Sequence, residues 1–239
     1  GITGIASGSI FPLNEHEAAN VAVATNFSVS AMIGINKASR VTTVKPSGTT
    51  SLVVGSSSGI HGWHAPYYLR RLRLGKDESI YKYLKKSIPQ LIEDEYFNPE
   101  LQAVVGIPQK APDTAVFRTE TALDLLSRVK RYNENWVSVG HRNGDNANNV
   151  SVTVSIKDHE WDEVGNWMWE NRDGYNGISV LPYDGGTYKQ APFEDCSKET
   201  YDKLLPTLKN VDLTKIIEIQ DNTNFNENLA CGPDGCAIV

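Results

Sequence analysis

The 239-residue sequence is poor in cysteine, with three, and in methionine, with two. So few thiols exclude a disulfide-built scaffold, and they suit catalysis in a reducing compartment better than stapling. No apolar stretch reaches transmembrane length and no signal peptide is present, so no membrane partner is expected and the cytosol is the expected location. Basic clusters are also scarce. The formal net charge is -6 and the pI near 5.4, and the one basic run is Arg70-Arg71-Leu72-Arg73. Phosphate neutralisation needs more than that, so no nucleic-acid partner is expected. Position 1 is Gly1 rather than methionine, which reads as a processed start or as one piece of something longer.

What is present is ordinary for a soluble globular chain, 40% hydrophobic and 22% charged, and long enough to bury a core. The opening Gly1 to Ser7 reads as a buried strand or its end. Asn14 followed by Glu17 predicts a capped helix running to about Ala38. The β-branched run Arg40 to Val44 predicts a strand that breaks at Lys45-Pro46-Ser47-Gly48-Thr49-Thr50. The Gly/Ser-rich stretch from Gly55 to Tyr68 reads as irregular. Residues 77–97 look helical with an interruption before Pro89. Two extended pieces broken by Pro108 and Pro112 are expected between Ala103 and Phe117. Ala122, Leu126 and Val129 mark the buried face of a further helix. Val150 to Ile156 alternates strictly, as a half-buried strand does. Asp158 is expected to cap a helix with Trp161, Val164 and Met168 on one face. A strand over Gly177 to Leu181 and a helix over Lys198 to Leu208 complete an α/β pattern with substantial parallel pairing. No internal repeat and no dividing linker is evident.

Strand, then Pro46-Ser47-Gly48-Thr49-Thr50, then helix is an arrangement suited to phosphate. Gly48 lets the backbone approach an anion, hydroxyls donate, and N–H groups at a helix start point the same way. The same residues would serve equally as an ordinary N-cap. His61 and His64 lie in the Gly/Ser stretch without a nearby carboxylate, and read as loop hydrogen-bonding groups or ligand contacts. Tyr67-Tyr68 could relay a radical or simply pack. The amide-rich run His141 to Asn149 reads as a turn with side-chain hydrogen bonds or as the lining of a polar pocket. Leu181-Pro182-Tyr183-Asp184 follows a strand and would form a loop.

Near the end, Cys231 and Cys236 flank Gly-Pro-Asp-Gly, a turn that allows the two thiols to close on each other. The Asn-rich stretch Gln220 to Asn228 has too little apolar content to anchor itself. About 15 such residues have a root-mean-square span of roughly 20 Å, enough to carry a dithiol between a surface reductant and a nearby site. A metal half-site and inert thiols are the alternatives. Zinc takes four ligands, and neither Cys196 nor His159 supplies a second pair at finger-like spacing, so no metal is assigned.

Taken together, Ile2-Thr-Gly-Ile-Ala6, Lys45-Pro-Ser-Gly-Thr49, Ser57-Ser-Gly-Ile-His61, Tyr67-Tyr-Leu-Arg-Arg71, Asn148-Asn-Val-Ser-Val-Thr-Val154, Leu181-Pro-Tyr-Asp-Gly-Gly186 and the terminal cysteine pair resemble the large chain of ribonucleotide reductases, most closely the adenosylcobalamin-dependent (class II) ribonucleoside-triphosphate reductases. The resemblance implies that residues 1–218 are the C-terminal part of a ten-stranded α/β barrel and that residues 219–239 form a flexible redox tail. It implies that Pro46, Ser47, Gly48, Thr49 and Thr50 hold substrate phosphates. It also implies that Cys231 and Cys236 re-reduce an inner cysteine pair and are themselves reduced by a thioredoxin- or glutaredoxin-like protein, with Cys196 structural. The cofactor implied for the complete enzyme is adenosylcobalamin. The family's radical cysteine lies in an Asn-Pro-Cys-Gly-Glu-like motif that this sequence lacks. An N-terminal polypeptide carrying that finger-loop cysteine is therefore expected as a partner, and the chain alone is expected to be inactive. A class I large-chain fragment and a non-catalytic nucleotide-binding remnant are the alternative readings.

Overall fold

The structure is a computed structural model that describes residues 1–185 and 188–217, and for Thr49 and Leu52 the backbone alone. The tail and its cysteines, Cys231 and Cys236, lie outside the described residues. In chain order the helices are α1 (Glu15–Ile33), α2 (Thr49–Val53), α3 (Ser79–Ser87), α4 (Ala122–Tyr132), α5 (Trp161–Glu170) and α6 (Lys198–Leu204). The strands are β1 (Tyr67–Gly75), β2 (Ile92–Asp94), β3 (Gln102–Lys110), β4 (Thr153–Ile156), β5 (Ser179–Pro182) and β6 (Phe193–Asp195). They fall into two compact units, residues 1–66 with 110–185, and residues 67–109 with 188–217. The class is mixed α/β, and the described strands form one four-stranded sheet and one parallel pair.

In the first unit the core gathers Ile5, Val44 and Ile60, the α4 residues Leu126, Val129 and Tyr132, and Val150, Val152, Val154 and Ile156 leading through β4. The alternation of that last segment is reproduced residue by residue, with its apolar members buried and Thr153 and Ser155 exposed. β4 pairs in parallel with β5, Val154 opposite Val180. Thr121 and Asp124 cap α4 reciprocally, each side chain taking the other's backbone N–H.

α1 starts where its sequence signal places it, with Asn14 Oδ1 accepting the Glu17 N–H at 3.1 Å. It stops at Ile33, short of Ala38, because Gly34 turns left-handed at φ 72° and returns its N–H to the Ser30 carbonyl. The expected strand at Arg40 to Val44 is extended backbone stitched on both sides without regular ladder structure. Ile2 bridges Val44 in parallel and Arg40 bridges His141 antiparallel. Asp158 does not cap α5. Glu160 stands at that position, and its carboxylate accepts the Lys157 and Ala122 N–H groups at 3.0 and 3.2 Å.

The second unit is built on a sheet of order β2-β3-β1-β6, with β2–β3 and β1–β6 antiparallel. Leu84, Ile88, Leu91, Ile92, Ala103 and Val105 form its core. Four expectations change here. β1 occupies part of a stretch read as irregular. Residues 92–94 are strand rather than helix. β3 runs unbroken through Pro108, because β2 pairs only with residues 103–105 and asks no N–H of residue 108. Finally, α6 ends at Leu204, and the chain continues as 3-10 helix through Pro206.

Candidate functional site

The Pro46 to Thr50 loop leaves the stitched segment after Val44 and enters the five-residue helix α2. Gly48 adopts φ +47°, and no atom lies within 4 Å of the position a Cβ would take, so its backbone faces open space. A side chain there would be strained and would also fill that approach.

Hydroxyl groups from two other segments hold the loop. Thr3 Oγ1 accepts the Gly59 N–H at 3.0 Å and is hydrogen-bonded to Ser47 Oγ. Ser58 Oγ accepts the Gly48 N–H at 3.0 Å. Thr50 N–H returns to the Ser47 carbonyl at 2.9 Å and Ser51 N–H to the Gly48 carbonyl at 3.3 Å. The N–H groups of Gly48, Thr50 and Ser51, expected to point at an anion, are therefore engaged within the protein. The outward donors left are hydroxyls. When Thr3 donates to Ser47, the Ser47 proton is free for a ligand oxygen, and Ser58, serving Gly48 as acceptor, keeps its own proton. Thr50 is exposed beside them.

Thr3 and Ser58 carry this geometry, and sequence reasoning gave them no role. Both lie in the apolar-Gly and Ser-Gly-Ile-His motifs already singled out, so the signal was their position in those motifs rather than any local chemistry. Close backbone approach explains the glycine of the second motif: Gly59, at φ +56°, would place a Cβ 3.2 Å from the Lys45 carbonyl oxygen.

His61 sits at the end of the same segment. Its Nδ1 lies 3.3 Å from the Ser58 carbonyl, and its Nε2 accepts the Thr153 N–H at 3.1 Å at the start of β4. Burial pushes its pKa below the ordinary histidine value. A neutral ring with Nδ1–H donating and Nε2 accepting fits both contacts. Arg128 donates to the Ile60 carbonyl and grips Glu120 with both terminal nitrogens.

In the amide-rich run, Asn148 Nδ2 donates to the Thr42 carbonyl at 2.8 Å, and Asn149 Oδ1 accepts the Gly177 N–H at 3.1 Å. These side chains tie the stitched segment and β5's approach to β4, a structural use of the amides. Tyr67 and Tyr68 lie in the other unit, on β1. Tyr67 packs at 5.1 Å from the Tyr201 ring and Tyr68 at 5.8 Å from the Phe193 ring, the packing alternative for this pair. The Cys196 thiol is pushed up by burial and then by Asp195 and Glu194, which disfavours the reactive thiolate. Among the described residues, no group of three or more His, Cys, Asp or Glu could hold a metal ion, and no helix is long and apolar enough to cross a membrane.

No protein-family model matches the chain. Individual relatives do. The chain is 29% identical over 212 residues to the adenosylcobalamin-dependent ribonucleoside-triphosphate reductase of Euglena gracilis, covering 87% of this chain and 28% of that protein. It is 32% identical over 179 residues to the Lactobacillus leichmannii protein of the same name, covering 73% and 23%. Among solved structures, a B12-dependent (class II) ribonucleotide reductase superposes with a TM-score of 0.71 at 25% identity, over 84% of this chain and 27% of that one. The chain thus spans about a quarter of the length of the proteins it matches. Sequence and backbone agree, so the likeness seen in scattered motifs is homology: this chain corresponds to a segment of the adenosylcobalamin-dependent (class II) ribonucleotide reductases.

Proposed function

We propose that the chain is the C-terminal part of a ribonucleotide reductase and works in deoxyribonucleotide synthesis only when joined to the N-terminal part. In that assembly residues 1–218 complete a ten-stranded barrel. Ser47, Gly48, Thr49 and Thr50, on the turn opened by Pro46, hold the substrate phosphates. The observation that carries this reading is the loop itself. A glycine with open space beside its backbone is held through its N–H by Ser58, and the Ser47 hydroxyl next to it is held by Thr3, from two other segments. Such a cradle fixes a phosphate by position and hydrogen bonding, with little net charge of its own. Fixing one end of a nucleotide matters, because a misplacement of about 1 Å at the reacting centre loses on the order of a hundredfold in rate.

Adenosylcobalamin is the cofactor of the complete enzyme and supplies its radical chemistry. The part assigned to this chain is nucleotide handling and reduction. Reduction falls to Cys231 and Cys236. Reducing the ribose 2′ position leaves an inner cysteine pair oxidised to a disulfide. A tail thiolate attacks one sulfur of that disulfide and releases the other as a thiol, and the second tail thiol then displaces the mixed disulfide. Two electrons and two protons have moved inward, and the tail is now the disulfide. A thioredoxin- or glutaredoxin-like dithiol restores it by the same exchange.

Ribonucleoside-triphosphate reduction tests the reading, measured with adenosylcobalamin for this chain alone, the N-terminal polypeptide alone, and the two together. Turnover is expected only in the mixture. Replacing Cys231 and Cys236 with Ser should abolish multiple turnover driven by thioredoxin while leaving turnover with dithiothreitol, which enters the barrel directly. Equal loss with both reductants would refute the shuttle. A mixture that forms a complex yet reduces nothing would refute the reductase assignment.

A further inference from the structure

Helix α1 does not fit the solvent that surrounds it. From Ala18 to Asn36 the sequence has no Asp, Glu, Lys or Arg, and of α1's residues only Glu15, Ala19 and Ser30 are buried. A surface helix ordinarily carries charge on its outer side, while a helix uncharged all round belongs in an interior. Here the outer side is apolar and open. Met32 is 83% exposed, Val21 61% and Phe27 53%, and Ile33 and Ile35 extend the same surface past the helix end. Ala24 and Ala31, both exposed, lie between Val21 and Met32 on one face at helical spacing. Small residues flanked by larger ones form the groove that admits the ridge of a second helix. A lipid surface suits this face poorly, since Asn20, Thr25 and Ser28 share it and the cation that follows it, Lys37, is held over the Phe27 ring, 3.6 Å from its centroid.

We propose that the outer face of α1, centred on Val21, Ala24, Ala31 and Met32, is the surface on which the remaining three quarters of a ribonucleotide reductase pack. This rests on the function proposed above. The occupant follows from coverage: the chain matches only 23–28% of its relatives' length, so the protein that buries this helix is the part it does not span. A contiguous uncharged face of this kind is characteristic of surfaces covered in the assembled state.

Three single variants test it, Val21→Glu, Ala24→Glu and Met32→Glu, each placing a charge on an exposed position of a helix that tolerates Glu well. Each isolated chain should keep wild-type circular dichroism and wild-type hydrogen exchange over Val150 to Ile156. The readout is affinity for the N-terminal reductase polypeptide, together with hydrogen exchange of α1 in the complex. Affinity should fall at least about tenfold, as expected when a charge enters an apolar interface, and α1 exchange in the wild-type complex should slow by a similar factor. Wild-type affinity for all three variants, with α1 exchanging as in the free chain, would overturn the proposal. So would self-association of the free chain or binding to anionic phospholipid vesicles that the variants abolish while the complex is untouched. Activity separates the two claims. A reductase-active mixture indifferent to the variants sinks the docking face alone, whereas an inactive complex that the variants dissociate sinks the reductase reading alone.

Discussion

In the first unit, Val150, Val152, Val154 and Ile156 turn into the core in strict alternation through β4. In the second, β1 carries Arg70, Arg71 and Arg73 among its leucines. Arg71 is mostly buried and pairs with Glu93 of β2 at 3.1 Å and with Glu194 of β6, while Arg73 reaches Glu95. Burial alone would lower the pKa of Arg71, but the hydrogen bonds and charges of Glu194 and Glu93 raise it overall. Gly106 of β3 lines the same hollow as Arg71, Glu93 and Leu69 and puts no side chain into it. One unit is thus organised by apolar area removed from water. The other uses long cations on one central strand, β1, held by carboxylates from the β2 side and from β6. The two devices respond to different perturbations.

The largest effect should come from Ile156→Ala. This side chain is fully buried, and truncating an isoleucine in such a core costs about 2–5 kcal/mol through lost transfer energy and the cavity left behind. Urea unfolding followed by hydrogen exchange should show the loss in residues 1–66 and 110–185, with little dependence on salt. A cost under about 1 kcal/mol would mean that the parallel pair is not the centre of that core.

Arg71→Met keeps the apolar stem and removes the guanidinium. Glu93 and Glu194 are half exposed, so water screens the carboxylates left behind and the expected cost is about 1–2 kcal/mol. The signature is salt: raising ionic strength should weaken the second unit of the wild type and leave the variant almost unchanged. A variant equal to wild type at low salt would show that packing, not charge, holds this sheet.

This contrast also explains what the sequence could show. β4 was legible because burial of one face writes itself into a period-two pattern within seven residues. The cap of α1 was legible because Asn14 and Glu17 act over three positions. β1 was not, because its arginines are reconciled with a sheet only by Glu93 and Glu194, which stand 22 and 123 residues away along the chain. The candidate loop shows the same division. Ser47 and Gly48 announce themselves by residue type, whereas Thr3 and Ser58, which hold them, are separated from their partners by 44 and 10 residues. No local rule connects them. The continuity of β3 through Pro108 was hidden for a similar reason, since it depends on where β2 ends.

The smallest effect sharpens the comparison from the loop side of the first unit. His61 is held neutral between the Ser58 carbonyl and the Thr153 N–H, and burial, ahead of the nearby Arg128 charge, lowers its pKa in the folded chain. In the unfolded chain the ring titrates near its ordinary value of 6.5. Below that value the unfolded state binds a proton that the folded state resists, so stability rises with pH across this window. The contribution is intact above 6.5 and is lost as pH falls toward the depressed folded value. Chemical denaturation of the wild type at steps between pH 7.5 and 5.5 should therefore show declining stability. His61→Gln, which retains an acceptor for Thr153, should flatten that slope. A slope unchanged in the variant would mean that proton uptake on unfolding occurs at another group.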